Sequence, residues 1–406
     1  MSDIPTAVVA GHDLPELRLK PREDRRLSAG HLWIFSNEVD TARTPLSNFA
    51  TGALCRIVGD RERFLGYAYV NPHALICARI LSRDPQYPPG RSLIVHRLQI
   101  ALELRKRLYA APNYRLVYGE SDGLPGLVLD RYGDVVVGQI GTAGMEALKD
   151  EVVDALDKVI SPAAIVWKND SGARELEGLP SYVETARGTA PPHVWIEENS
   201  VRFRVAIGSG QKTGWFYDQA ANRRSFVRYV NGARVLDVCS YLGGWGLAAA
   251  KAGAREVVCV DSSASALELL QLSATENGLD VKTIRDDAFD ALKALQEKGA
   301  RYDVVILDPP AFAKRKKDVP QAPAAYRKVN QLALPLIERD GILVSCTCSH
   351  HMPAEDLAAA IQGAARHASR FVQILELGGQ SPDHPVHPAI PETRYLKAFF
   401  CRVTRE

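Results

Sequence analysis

Three short stretches of this sequence place reactive side chains where one end of a parallel sheet could gather them. The first, Ala233 to Asp261, reads ARVLDVCSYLGGWGLAAAKAGAREVVCVD: an apolar strand, a turn of Gly243-Gly244 with Gly246, a helix, and a second strand ending in an acid. Such a turn lets backbone approach a ligand closely, and Asp261 sits where a carboxylate can accept hydrogen bonds from both hydroxyls of a ribose. The second is the strand Tyr302 to Leu307, which runs into Asp308-Pro309-Pro310-Ala311-Phe312. The third is the strand Gly341 to Ser345, which runs into Cys346-Thr347-Cys348-Ser349-His350-His351. On an extended segment Cys346 and Cys348 point the same way. Their spacing with the two histidines is too tight for all four to close one tetrahedral zinc site, so no metal is expected.

These stretches need a scaffold that brings strand ends together. From about Val194 onward strands alternate with helices, the signature of a doubly wound sheet whose ligands meet the carboxyl ends of its strands. The chain closes with Tyr395 to Val403, read as a final hairpin strand. Two proline-rich breaks, Asp84 to Gly90 and Arg187 to Pro192, read as linkers or domain edges. Before the first break, short alternating strands at Ala53–Val58, Phe64–Val70 and Leu75–Ile80 suggest a small β-barrel. Between the breaks, a basic amphipathic helix at Leu93–Leu108, strands at Val135–Ile140 and Ala164–Lys168, and a helix near Met145–Val159 suggest an α+β module. The expected division is therefore residues 1–88, 91–190 and 193–406.

A chain of 406 residues with 46% hydrophobic composition can bury large cores in two or three domains. No apolar run approaches the roughly 18 to 20 residues of a membrane span. The first residues lack a basic segment followed by an apolar one, so a cytoplasmic location without membrane contact is expected. Seven scattered cysteines argue for free thiols rather than a disulfide framework. The net charge is only +2, but Lys20, Arg22, Arg25 and Arg26 cluster, as do Arg105 to Arg107 and Lys314, Arg315, Lys316 and Lys317. Local patches can track a phosphate backbone even in a near-neutral protein. Each run serves equally well as a solvated helix face.

The Asp-Pro-Pro turn at a strand end resembles the substrate-base loop of nucleic-acid methyltransferases that use S-adenosylmethionine. Arg22 to Arg26 leading into Gly30-His31-Leu32-Trp33-Ile34-Phe35 resembles the PUA domains of RNA-modifying enzymes. Five motifs then occur in order: Asp122-Gly123-Leu124-Pro125-Gly126-Leu127, Lys212 to Gln219, Ser240 to Gly244, Asp308 to Phe312, and Cys348-Ser349-His350-His351. Together they are similar to the family of large-subunit rRNA cytosine-5 methyltransferases, over nearly the whole chain.

The resemblance implies an α/β fold: a C-terminal class I, Rossmann-like methyltransferase domain with a seven-stranded sheet, preceded by a PUA-like barrel and the α+β module. It implies S-adenosylmethionine as cofactor, large-subunit (23S) rRNA as partner and 5-methylcytosine as product. Asp237 and the Tyr241 to Gly243 backbone would meet the methionine end, Asp261 the ribose and Asp287 the adenine, although Asp287 also suits a helix N-cap. Phe216, Asp218 and Gln219 would fold over the cofactor, with Trp215 and Phe216 equally suited to a core. Cys348 matches the nucleophile that adds to C6, and Asp308 would steady charge on the N3 and N4 edge of cytosine, also facing the cofactor. Pro309 and Pro310 hold that loop. Arg22, Arg25 and Lys314 to Lys317 would grip RNA phosphate, and the loop carrying His384 and His387 would lie near the active site. Three matters stay open: an N-methyltransferase acting on another base such as guanine at N7, an RNA-binding assembly factor without turnover, and a homodimer.

Overall fold

The computed structural model describes residues 14–211, 213–312 and 320–405. They form two compact units. One comprises the chain up to Pro192 with Ile207–Gly214 and Asp383–Thr393, and the other comprises His193–Ala206, Trp215–Pro382 and the chain from Arg394.

In the first unit, alternating residues of β1 (Glu16–Arg18), β2 (Trp33–Phe35), β3 (Leu54–Val58), β4 (Phe64–Val70) and β5 (Ile76–Ser82) fill one core with Leu17, Ile34, Ile57, Ala68, Val70, Cys77 and Ile80. The sheet order is β1-β3-β4-β5-β2. A bridge between Leu19 and Val39 joins the two edges, with Lys20 N–H donating to Glu38 O at 2.9 Å and Asp40 N–H to Arg18 O at 2.8 Å. That closure makes the small barrel expected from the alternation and leaves few open edges. The short α1 (Arg25–Ser28) precedes β2.

The α+β module follows. Helix α2 (Arg91–Leu108) leads into β6 (Asn113–Tyr118), β7 (Leu127–Tyr132) and β8 (Val135–Ile140). Helices α3 (Ala143–Ala147) and α4 (Lys149–Ile160) then cross to β9 (Ala164–Asn169), parallel to β8, before β10 (Tyr182–Gly188) closes the sheet in the order β10-β9-β8-β7-β6. The single helix expected near Met145–Val159 is thus two. Leu148, at φ −101° and ψ 16°, leaves the helical region, and Asp150 and Glu151 open a new first turn where acids are favoured. The basic run at 105–107 is also not a uniform surface feature. Arg105 is fully buried, gripping both oxygens of Asp122 at 2.6 and 2.8 Å.

The second unit opens on a two-stranded hairpin, β11 (His193–Glu198) and β12 (Val201–Ala206), which stands apart from the large sheet. Sequence alternation had placed this segment within the doubly wound region. Asn199 and Ser200, both at positive φ of 52° and 61°, instead make a two-residue turn of the kind that pairs adjacent strands. The alternation proper runs through α5 (Ala220–Phe226), β13 (Arg234–Val238), α6 (Gly244–Lys251), β14 (Glu256–Asp261), α7 (Ala264–Glu276), β15 (Lys282–Arg285), α8 (Ala288–Glu297), β16 (Tyr302–Leu307), α9 (Ala322–Ala333), β17 (Ile337–Thr347), α10 (Ala354–His367), β18 (Arg370–Gly378) and β19 (Lys397–Arg405).

Seven strands pair in the order β15-β14-β13-β16-β17-β19-β18, parallel except for β19, which is antiparallel to both neighbours. This is the seven-stranded α/β sheet expected. Central strands buried on both faces read as continuous apolar runs; Val235, Leu236, Val305, Ile306, Leu343 and Val344 are all at 0% exposure. The parallel strands β13, β14, β16 and β17 end on one edge, so Val238, Asp261, Leu307 and Thr347 launch their loops together. No helix among the described residues is long and apolar enough to cross a membrane.

Close packing of α6 on the sheet depends on one glycine. A Cβ at Gly246 would stand 2.4 Å from the buried Cys259 Sγ and 3.2 Å from Asp237 Oδ2. Gly246→Ala should therefore cost about 1–3 kcal/mol of stability by overpacking. Denaturant unfolding of the variant checks this, and an unchanged midpoint would contradict it.

Candidate active site

The site is built at the carboxyl edge of the second unit's sheet, beginning with the loop after β13. Cys239 and Tyr241 adopt φ of 66° and 51°, and Gly243 follows at 79°. Non-glycine residues in the left-handed region cost roughly 1–2 kcal/mol each, and such strain concentrates at ligand clamps. Asp261 holds the loop in this shape: its Oδ2 accepts from Tyr241 N–H at 2.8 Å and its Oδ1 from Ser263 N–H at 2.9 Å. Each oxygen keeps a further lone pair.

Beneath the loop lies Asp237, at 0% exposure. Its Oδ2 accepts from Gly246 N–H at 2.9 Å. Among the described residues its Oδ1 has no hydrogen-bond partner, and neither has the buried Ser240 Oγ. Burial pushes the Asp237 carboxyl up to about 8, opposed by the Gly246 N–H and reinforced by Asp308 and Asp261. A buried carboxylate with an idle oxygen is costly unless a cation or donor meets it.

Asp308, just past β16, is fixed from two sides. Trp245 Nε1–H donates to Oδ2 at 3.0 Å and Gln219 Nε2–H donates to Oδ1 at 2.9 Å. Burial raises its pKa against the lowering effect of Trp245. Gln219 is itself held by Asn222, whose Nδ2–H donates to Oε1 at 2.6 Å. Phe216 meets the Tyr241 ring edge-on at 5.2 Å. The backbone carbonyl of Phe216 accepts from Arg223, whose guanidinium is paired with Glu198 and lies over the Trp215 ring. Trp215 is accordingly core, whereas Phe216 stays partly exposed. Asp218 is buried and accepts from the Tyr395 hydroxyl.

The two cysteines part company. Cys346 lies within β17, paired with Ala398 at 0% exposure, and burial raises its thiol well above the usual range. It reaches Gln219 and feels the Asp308 charge, so it packs under the site. Cys348, past the strand end, is partly exposed. Its loop is tied to the Asp-Pro-Pro loop by Tyr326 of α9: Thr347 Oγ1–H donates to the Tyr326 hydroxyl at 2.6 Å, and the Phe312 ring meets Tyr326 edge-on at 4.8 Å. Lys397 Nζ donates to Ser349 O at 2.9 Å, which sets a cation beside Cys348.

The second unit thus gathers Phe216, Asp218, Gln219, Asp237, Tyr241, Gly243, Asp261 and Asp308 around one edge, with Cys348 on the neighbouring loop. Asp287 is exposed and caps α8, its Oδ1 accepting from Phe289 N–H at 2.8 Å. Pro309 is buried and Pro310 exposed, and the His350 and His351 rings lie 3.7 Å apart. Lys314, Arg315, Lys316 and Lys317 lie outside the described residues, as does Lys212. Arg22 and Arg25 are exposed on the first unit, whereas Arg26 is spent on Glu38 at 2.8 Å. His384 and His387 belong to the first unit, where His384 is buried against Asp383 at 2.8 Å. Among the described residues no group of three or more His, Cys, Asp and Glu could hold a metal ion.

Sequence reasoning missed Trp245, Lys397 and Tyr326. Trp245 was the most legible of them, being an indole between Gly244 and Gly246 in an otherwise small-residue helix. A buried indole needs an acceptor, and Asp308 is the one it finds.

Comparison with known proteins agrees with this geometry. Residues 17–83 match the PUA-like domain family, and residues 180–402 match the family described as S-adenosylmethionine-dependent methyltransferase. The chain is 37% identical over 392 residues to the ribosomal RNA large subunit methyltransferase I of Photobacterium profundum, covering 95% of this chain and 98% of that one. It is also 37% identical over 391 residues to the protein of the same name from Aeromonas salmonicida, covering 95% and 98%. In fold it is similar to the methyltransferase SMU.776 complexed with SAH, at a TM-score of 0.82, 23% identity and coverage of 96% and 100%.

The cofactor is S-adenosylmethionine, and the residues present fit it. The idle Asp237 oxygen and Ser240 hydroxyl suit an ammonium and a polar neighbour, and Asp261 retains acceptor capacity for ribose hydroxyls. Asp237 also makes a pH test. Its folded pKa of about 8 lies above the unfolded value of about 3.9, so the stability this one group contributes in the ligand-free protein is full below about pH 4 and is lost as pH rises through 8. Asp237→Asn should flatten the fall in unfolding temperature between pH 5 and pH 8 and weaken cofactor binding tenfold or more, roughly the loss of one charge-assisted contact. Calorimetry at both pH values checks it; an unaltered pH dependence would contradict it.

Proposed function

The chain belongs to the S-adenosylmethionine-dependent methyltransferase family that includes ribosomal RNA large subunit methyltransferase I, and on that footing we propose that it methylates C5 of a cytosine in large-subunit (23S) rRNA. A cytoplasmic setting goes with that substrate. The observation that carries the reading is the pairing of two loops at adjacent strand ends: a fixed acid, Asp308, and a partly exposed thiol, Cys348, linked through Tyr326. We also read the chain as three working modules, 1–88, 91–190 and 193–406, the first two presenting RNA to the third.

S-adenosylmethionine supplies an electrophilic methyl group carried on a sulfonium. A pyrimidine C5 is too poor a nucleophile to take it unaided. The Cys348 thiolate forms a bond to C6, and the electron pair displaced from the C5–C6 bond makes C5 nucleophilic. Asp308, held by Trp245 and Gln219, hydrogen-bonds the N3 and N4 edge where charge develops. After methylation a base takes the C5 proton, the C–H electron pair restores the C5=C6 double bond, and the C6–S bond breaks to release the thiolate. Lys397 favours the thiolate form through its charge. The Asp-Pro-Pro loop carries no second cysteine, so Cys348 acts alone. The base must leave any stack to meet it. Asp237, Asp261, Asp287 and the Phe216 to Gln219 segment serve the cofactor, while Arg22, Arg25 and Lys314 to Lys317 serve RNA phosphate.

Methyl transfer to rRNA from an unmodified source, followed by nuclease digestion and mass analysis, should yield 5-methylcytidine. A methylated purine would point instead to an N-methyltransferase, and cofactor binding without product to an assembly factor. Cys348→Ala should keep cofactor affinity and lose transfer by several orders of magnitude. Lys397→Met should move the acid limb of the pH–rate profile to higher pH, because loss of the neighbouring cation disfavours thiolate; an unmoved limb would remove Lys397 from the chemistry.

A further inference from the structure

A second concave site lies wholly within the first unit, between the barrel and the α+β module, and the chemistry above makes no use of it. It is a cavity of about 390 Å³ lined by residues from the end of β5, from α2 and from the Ser121–Gly123 turn. Ligand pockets run from roughly 300 to 1,000 Å³, so it is large enough for about one nucleotide.

Its charge is unbalanced. Arg83 and Arg97 both line it, and among the described residues neither has a carboxylate within salt-bridge distance. Arg83 spends one N–H on His31 O at 2.8 Å. Arg97 lies across Gly123, with Nε shielded from solvent and unpartnered. The nearby acid cannot compensate them. Asp122 lines the same cavity, but both its oxygens are taken by Arg105 and one also accepts from Tyr118 N–H at 2.7 Å. Ser121 Oγ is a second buried polar atom without a partner. Burial lowers the pKa of Arg83, with Arg63 adding to the effect, as expected of a cation with no local counter-charge. The facing wall is apolar: Leu32 lies on the barrel side, and Ile100 and Leu104 of α2 are 52% and 37% exposed.

We propose that this cavity binds one phosphate-bearing nucleotide of the RNA substrate, its phosphate on Arg83, Arg97 and Ser121 and its base or sugar against Leu32, Ile100 and Leu104. An anion supplies what the two guanidinium groups lack, and the exposed aliphatic side chains offer a surface to a planar base. Phosphate contacts of this kind position a strand without reading its sequence. The site is distinct from the residues assigned to methyl transfer and rests on the reading that the substrate is RNA.

The test titrates full-length protein with a fluorescein-labelled single-stranded fragment of large-subunit rRNA at several salt concentrations, comparing wild type with the R83Q/R97Q double variant. Binding should weaken about tenfold and the salt slope should fall by about one, with unfolding temperature and S-adenosylmethionine affinity unchanged. Equal affinity and slope in the two proteins would overturn the pocket and leave the methyltransferase reading intact. Failure of wild type to bind RNA at all would overturn the RNA reading and the pocket with it. Cytidine 5′-monophosphate binding as tightly as the RNA would assign the cavity to a free nucleotide and overturn the proposal. Should the variant fold poorly, crosslinking of wild type to 4-thiouridine RNA decides: adducts are expected within residues 80–83 or 97–104, and their absence overturns it.

Discussion

A carboxylate with no exposure and one idle oxygen sits in the central strand of this protein, and much of the second unit answers to it. Asp237 can stay there only because α6 comes close enough for Gly246 N–H to reach one oxygen, and α6 comes that close only because residue 246 has no side chain. The cost of leaving the other oxygen unmet is offset when a positively charged ligand group arrives. A strained loop, with Cys239 and Tyr241 at positive φ, is held over the same spot by Asp261. The fold thus keeps a buried carboxyl with an unpartnered oxygen beside a shaped cradle, which is how a binding site differs from a core.

The reacting edge is organised by a second principle, the restraint of two neighbouring loops by residues that do no chemistry. Trp245 and Gln219 aim the Asp308 carboxylate, and Gln219 also reaches the buried Cys346. Tyr326 joins the Asp-Pro-Pro loop to the cysteine loop. Because Trp245 lies on the helix whose approach is set by Gly246, the cofactor cradle and the base-facing acid share one support. A disturbance at α6 would be felt in both.

Strands with simple hydrophobic patterns were legible in the sequence: Phe64–Val70, Val135–Ile140 and Tyr302–Leu307 appear with the bounds their alternation or apolar runs predicted. The alternation of strand and helix likewise indicated the parallel sheet. Features set by tertiary contact were not legible. The 199–200 turn removed β11 and β12 from the large sheet, and Leu148 split a helix whose periodicity runs on through it. Arg105 and Arg26 read as surface charge but are spent on Asp122 and Glu38. Cys346 and Cys348 were equivalent by spacing, and only the depth of β17 separates them. Ion pairs and depth depend on partners a dozen or more residues away and on which strands flank β17, which local pattern does not encode.

Covalent trapping on RNA carrying 5-fluorocytidine at the target tests the central claim most directly, because fluorine at C5 cannot leave as the proton does and the thiol–C6 bond persists. The result expected is a stable protein–RNA complex, dependent on S-adenosylmethionine, whose digested peptide carries the nucleotide on Cys348. Efficient methyl transfer to unsubstituted rRNA with no adduct, or an adduct on any other residue, would contradict the account.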